Sequence, residues 1–186
     1  RVEYDVPNLL GSFYHMHLIG GKSFERTDLG VTLNKDLILP TDYMVGGTFL
    51  NGKGNIYSLP EDTVFRVGSK QGAVWGGKSF YSKRINASWF VTGQYEIRDF
   101  YERPDVDWDL NPAFHNNQEV LLGAGLYREQ FYTTNRIYGY GFNEYIAAGY
   151  KAEVVGGYQW GEFGGRGYLG LNFDMGGFAS WGYLRG

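Results

Sequence analysis

One glycine-rich stretch of this chain matches a known chemical signature. Residues 72–79 read GAVWGGKS, which has the spacing of a phosphate-binding loop, G-x-x-x-x-G-K-[ST]. In such loops backbone amides surround the phosphates, the lysine reaches them, and a helix begins directly afterwards. Here the chain continues into an alternating, strand-like segment, and no βαβ pattern surrounds the motif. We therefore interpret it as a glycine-rich strand or turn and expect no nucleotide there.

Three aspartates with alternating spacing form the most acidic stretch. Asp105, Asp107 and Asp109 have the spacing of a calcium-binding loop. An EF-hand would also need glycine at the sixth position and glutamate at the twelfth, where this chain has Leu110 and Asn116. The pattern excludes an EF-hand and favours a solvated surface loop, with a looser calcium site as the alternative.

The three histidines could ligate a metal or act in catalysis. His15 and His17 are two residues apart, so both fall on one face of a strand, but the sequence identifies no third ligand. A hydrolase centred on His115 would need a nucleophile motif, and neither G-x-S-x-G nor H-x-S is present. We expect no metal and no cofactor, and the motifs favour a protein without enzymatic activity over an enzyme.

The residues 84–101, RINASWFVTGQYEIRDFY, give the clearest structural signal. A side-chain period of two predicts a β-strand. The segment is more than twice as long as the roughly five or six residues of an ordinary strand. Its apolar face carries Ile85, Ala87, Trp89, Val91, Gly93, Tyr95 and Ile97. Its polar face carries Asn86, Ser88, Phe90, Thr92, Gln94, Glu96 and Arg98.

The rest of the chain repeats this pattern between short turns. Alternating or glycine-broken segments predict strands at 10–24, 29–39, 43–57, 63–80, 120–132, 137–150, 151–163 and 169–175. The segment 63–80 reads either as one long strand or as two short ones around Gly72. The stretch 102–117 is the longest loop. No stretch holds a helical period over three turns.

Composition excludes several classes of protein. The 186 residues carry a net charge of −3, which argues against nucleic acid as a partner. The absence of cysteine excludes a disulfide framework and thiol chemistry. No run of about 18 apolar residues is present, so no transmembrane helix is expected. Twenty-nine glycines and abundant aromatic residues suit many closely packed strands.

Long alternating strands, short turns, one long loop and abundant aromatics across the whole chain resemble the small outer-membrane β-barrels of Gram-negative bacteria. This resemblance implies a single all-β domain over residues 1–186, an antiparallel up-and-down transmembrane β-barrel of 8–10 strands. It also implies localisation in the bacterial outer membrane, with lipid and lipopolysaccharide around the apolar face. Tyrosine and tryptophan near the strand ends would form the interface girdles.

Polar side chains near strand interiors are the candidates for lining the barrel lumen. They are Glu96, Arg98, Glu129, Glu144, Asn172 and Asp174. Such groups must pair with one another because unpaired charges away from water are costly. They would form either a salt-bridged plug or a narrow polar passage. The loop 102–117, with Asp105, Asp107, Asp109 and His115, would be the external or partner-facing element.

Three functions remain open at this level. The first is an integral outer-membrane barrel with a structural, anchoring, partner-binding or small-solute passage role. The second is a soluble, lipocalin-like barrel with its apolar face inward around a small apolar ligand, because alternation does not distinguish inside from outside. The third is an outer-membrane enzyme acting on lipids, centred on His115 or His15.

Overall fold

The computed structural model describes residues 2–36, 42–58, 63–134, 144–179 and 182–185. These residues form an all-β structure of ten strands. The strands are β1 (Val2–Val6), β2 (Tyr14–Lys22), β3 (Arg26–Lys35), β4 (Tyr43–Ser58), β5 (Thr63–Ser82), β6 (Ala87–Glu102), β7 (Asn117–Thr134), β8 (Glu144–Gly161), β9 (Gly164–Ala179) and β10 (Gly182–Arg185).

All ten strands lie in a single antiparallel sheet in chain order. Each strand pairs with the next, so the predicted up-and-down order is confirmed. Two single-turn 3₁₀ helices, Leu9–Gly11 and Pro112–Phe114, lie in the connections. Within the described ranges, no helix is long and apolar enough to cross a bilayer.

The two faces of the sheet differ in polarity and exposure. The outer face, defined by Trp89 and Val91 of β6, is mainly apolar, and both of these side chains are 43% exposed. Many register pairs on this face are apolar, for example Leu18 with Val31 and Val154 with Leu171, while Lys78 and the pair Lys70 with Asp99 place charges on it. The inner face carries the residues that alternate with the outer-face residues along each strand, and these are mostly polar, small or half-buried.

The sheet is not closed into the predicted barrel. Among the described residues no ladder joins β1 to β10, so both remain edge strands. β9 pairs with β10 only over Gly176–Ala179. The described residues therefore form an open antiparallel meander, not a closed barrel.

Several predicted element boundaries are wrong. The predicted strands 137–150 and 151–163 are replaced by one continuous strand, β8, and residues 137–143 lie outside the described residues. The segment 63–80 is one long strand, β5. β1 and β10 were missed because both are too short to show a period. Residues 84–86 form a turn before β6, and residues 10–13 precede β2.

Candidate functional site

A continuous row of inner-face residues crosses nine strands. In register order it contains Asp5, His17, Thr32, Thr48, Ala73, Glu96, Glu119, Gln159 and Arg166. Neighbours within it are hydrogen-bonded: the hydroxyls of Thr32 and Thr48 lie 2.8 Å apart. His17 Nδ1 lies 3.6 Å from the Asp5 carboxylate. The antiparallel register thus aligns polar side chains of separate strands in one row, interrupted at Ala73.

Glu96 is the centre of the best-connected group in this row. Its Oε1 accepts a hydrogen bond from Gln71 Nε2 at 2.8 Å and another from the Arg98 guanidinium at 3.2 Å. Glu119 is its register partner on β7 and accepts a hydrogen bond from Gln159. Two carboxylates therefore face each other across the strands, each with its own donors. Glu96 thus bonds to polar groups of its own face, while a lumen lined by these residues stays a prediction.

The remaining predicted lumen residues lie on other parts of the sheet. Asn172 and Asp174 lie on the inner face of β9, in register with Glu153 and Lys151. Glu129 belongs to β7 and Glu144 begins β8, but their side chains lie outside the described residues. The structure thus joins Glu96 to Arg98 and places Asn172 and Asp174 three strands away from them.

A cavity of about 550 Å³ opens on the inner face between β4 and β8. Its wall is mainly apolar, with a few polar groups from β6 to β8. The inner-face residues lining it are Met44, Trp75, Phe90, Thr92, Gln94, Leu121, Gly123, Tyr127, Lys151, Glu153 and Val155. Small-molecule sites in proteins have about this size and this balance of apolar and polar groups.

Inner-face glycines explain why large side chains leave this space open. A Cβ at Gly46 would lie 2.5 Å from the Trp75 ring, and one at Gly125 would collide with the Phe90 ring. Both rings therefore lie over backbone where side chains are missing, against the wall of the cavity. With alanine at either glycine, the ring would be pushed toward the cavity.

The charged residues of the cavity wall are Lys78, which the register places on the outer face, and the ion pair of Lys151 with Glu153. Lys151 Nζ lies 2.8 Å from Glu153 Oε2, two residues further along β8. The same ammonium lies 5.7 Å from the centre of the Phe90 ring, within the range of a cation–π contact. Phe90 in turn packs against Tyr127, with ring centres 6.0 Å apart. Opposite charges and aromatic faces thus meet in one small region.

A second feature lies at one end of the sheet, where the long loop is clamped to the turn between β8 and β9. Arg103 donates two hydrogen bonds to the two carboxylate oxygens of Glu162, at 2.7 and 2.8 Å. These hydrogen bonds lower the pKa of Glu162 to about 2, assisted by the backbone amide of Asn116. They also raise the pKa of Arg103. Arg103 additionally bonds the Phe114 carbonyl oxygen, so it ties the loop to this turn.

The predicted loop residues do not assemble a reactive centre. His115 Nε2 lies 2.9 Å from the Asp107 carbonyl oxygen, and its ring packs on Phe163. Asp107 also bonds the backbone amide of Trp108 through its carboxylate. Asp105 and Asp109 are placed in the same loop, but no group of three metal-ligating side chains occurs among the residues described. The described contacts of Asp107 and His115 are thus to backbone groups of the loop and to the Phe163 ring.

The other two motifs also have structural roles. His15 and His17 share the inner face of β2, as predicted, and are in register with Asn34 and Thr32. Residues 72–79 lie within β5, and their register with β6 continues to Ser82. The interpretation of GAVWGGKS as a strand segment is confirmed.

Sequence reasoning missed the cavity and the clamp. Lys151 and Glu153 alternate with Ala152 and Val154, which is the signal for a shared face, but strand alternation does not show which residues from other strands lie beside them. Arg103 and Glu162 are 59 positions apart, and nothing in their local sequence indicates that they meet.

Comparison of this chain with protein-family models, with curated proteins and with solved structures found no match.

Proposed function

We propose that this protein is an integral, closed transmembrane β-barrel of the bacterial outer membrane whose polar interior takes up or admits small solutes. This proposal rests on the inverted polarity of the sheet, with apolar side chains exposed and polar side chains gathered on the inner face. Water disfavours a large contiguous apolar surface, whereas bilayer hydrocarbon accepts it.

Strand length supports the same proposal. β4 to β9 contain 16 to 20 residues each. A tilted strand needs only about 9–11 residues to cross the hydrocarbon layer. The extra residues would project beyond the headgroups, with the loop 102–117 as a partner-facing element at one end. Lipid and lipopolysaccharide would surround the outer face.

The structure offers less support for the other functions. A lipocalin-like protein would need the apolar face inward, but the inner face carries the Glu96 group and the threonine pair. A lipid-modifying enzyme centred on His115 would need an activating side chain, but the contacts of this ring are to carbonyl oxygens and Phe163. The cavity favours a solute role over a purely structural one.

Fractionation and gel mobility test the membrane assignment. The chain would be expressed with an export signal, and membrane fractions would be run on gels before and after boiling. We expect the protein in the outer-membrane fraction and a mobility shift on boiling, because closed barrels resist detergent until heated. Recovery in the soluble fraction without a shift would contradict the proposal.

A charge placed on the outer face gives an independent test. Leu122 of β7 is 64% exposed, so Leu122→Arg would change the free energy of unfolding of a water-soluble protein by no more than about 0.5 kcal/mol. In a bilayer the same change costs about 2–4 kcal/mol near the midplane. Leu110→Arg, at a 51% exposed loop residue, is the matched control. Urea unfolding of both variants in lipid vesicles measures the difference, and equal stability would argue against lipid contact.

A further inference from the structure

We infer that the cavity between β4 and β8 is a binding site for a small aromatic molecule with a zwitterionic end, such as a free aromatic amino acid. The inference deepens the solute role of the proposed function and rests on it. The shape and chemistry of the cavity wall, however, are properties of the inner face alone.

The apolar part of the cavity suits a flat aromatic body. Trp75, Phe90 and Leu121 line it from three adjacent strands. The two rings lie close over the backbone at Gly46 and Gly125, where a larger residue would collide with them. Aromatic ligands pack well against such rings in offset or edge-to-face arrangements.

The polar part of the cavity suits a head group that carries both charges. Lys151 and Glu153 stand side by side, with their charged atoms 2.8 Å apart. A ligand with a single charge would pair with one of them and weaken the existing ion pair. An ammonium and a carboxylate on one carbon atom can meet Glu153 and Lys151 together. Gln94, Thr92 and Tyr127 supply neutral hydrogen-bonding groups on the same wall.

Calorimetric titration with three probes tests both parts of the inference. L-Tryptophan carries both charges, tryptamine only the ammonium, and indole-3-propionate only the carboxylate. The refolded full-length protein would be titrated with each probe, against protein-free detergent or lipid as the blank. We expect L-tryptophan to bind about tenfold more tightly than either analogue, because each analogue can pair with only one of the two charged side chains. Equal affinity for the three probes would overturn the zwitterion assignment.

Two neighbouring valines provide a matched pair of variants. Val155 lines the cavity, whereas Val154 is on the outer face and 42% exposed. Val155→Phe fills the cavity and is expected to weaken L-tryptophan binding by at least about tenfold, while Val154→Phe leaves it unchanged. Equal effects of the two variants, or no binding of L-tryptophan to the folded wild type, would contradict the assignment of this cavity as the binding site.

Glu153→Gln keeps the inference testable if Val155→Phe does not fold. This change preserves side-chain volume and removes the carboxylate that would meet the ammonium. We expect L-tryptophan binding to fall about tenfold while indole-3-propionate binding is retained, and an unchanged L-tryptophan affinity would overturn the assignment. Fractionation and Leu122→Arg decide the membrane proposal separately, because a soluble protein could still be titrated.

Discussion

Glu96 shows how a carboxylate is accommodated on the inner face. It accepts hydrogen bonds from Gln71 and Arg98 and lies opposite Glu119. Removing it by Glu96→Ala leaves the Arg98 guanidinium without this anion, and its Nε has no hydrogen-bond partner among the described residues. We expect a loss of about 1–3 kcal/mol in the free energy of unfolding, measured by urea titration of the refolded protein.

Glu96→Gln is the control for this prediction, since it keeps the volume and one acceptor oxygen. It should cost less than Glu96→Ala. If the two variants were equally stable, or if Glu96→Ala matched the wild type, the donor groups around Glu96 would have no stabilising role in the folded protein.

Gly125 is a position where only the absence of a side chain permits the packing. A Cβ there would lie 2.7 Å from the Ala152 carbonyl oxygen and closer still to the Phe90 ring. We expect Gly125→Ala to lower the free energy of unfolding by about 1–3 kcal/mol, because backbone or ring must shift. Gly167→Ala is the control, since a Cβ at Gly167 meets nothing within 4 Å. Thermal unfolding on gels would rank the two variants, and equal midpoints would contradict the packing argument.

The sequence predicts the face of many residues but not their partners. Alternation correctly places His15 with His17, and Glu96 with Arg98, because side-chain direction follows directly from strand geometry. The contacts of Glu96 with Gln71 depend on the register between β5 and β6, to which every turn length contributes. The cavity is not predictable for the same reason, because it forms only when five strands are aligned in their final register.

Among the elements, the loop 102–117 is docked on the β8–β9 turn by one ion pair, Arg103 with Glu162, together with the His115 ring against Phe163. The Glu162 carboxyl has a pKa of about 2 in the folded state, below its ordinary value of 4.5. Its contribution is therefore present above pH 4.5 and is lost as the pH falls toward 2. We expect hydrogen exchange of loop amides, normalised for intrinsic rates, to show falling protection of residues 103–116 across this interval.

Glu162→Gln should remove this pH dependence, because the side chain can no longer ionise. Loop protection in this variant should be reduced already at neutral pH and stay nearly constant down to pH 2. Asp109→Asn alters an exposed loop carboxylate and should leave the wild-type profile intact. An unchanged profile in Glu162→Gln would mean that other contacts, such as Phe114 against Phe100, hold the loop.

Strand boundaries were harder to predict than strand existence. The sequence predicts two strands that meet between Tyr150 and Lys151, yet the β7 ladder pairs with this region from Glu144 to Gly161 without a break. Backbone hydrogen bonds to a long neighbour carry a strand through residues whose own pattern is weak. Pairing partners, which a single sequence does not show, therefore set the ends of the strands.

For the whole molecule, the open edges of the sheet conflict with the proposed membrane location, because a bilayer disfavours unpaired edge strands. The side of β9 turned away from β8 has no described ladder between Gly164 and Met175. Leu169, Leu171, Phe173 and Met175 on this strand include the most exposed apolar side chains of β9, with Leu171 at 82%. In hydrocarbon each unsatisfied backbone group costs several kcal/mol, so a membrane form must pair its edges. Ten strands in alternating order leave β1 and β10 antiparallel, which is the pairing that closes a barrel.

Engineered cysteines test this closure, because the chain has no cysteine of its own. Tyr4→Cys or Val6→Cys in β1 would be combined with Leu184→Cys in β10, because the register places all three positions on the outer face. Disulfides need Cα atoms within about 4.4–6.8 Å, so we expect an intramolecular bond in at least one pair when the protein is folded in lipid, seen as faster migration on non-reducing gels. Phe49→Cys in β4 with Leu184→Cys is the control and should stay reduced, since β4 is a central strand of the sheet. Disulfides only between molecules would instead show that two copies pair their edges, and the solute cavity would then belong to an assembly larger than one chain.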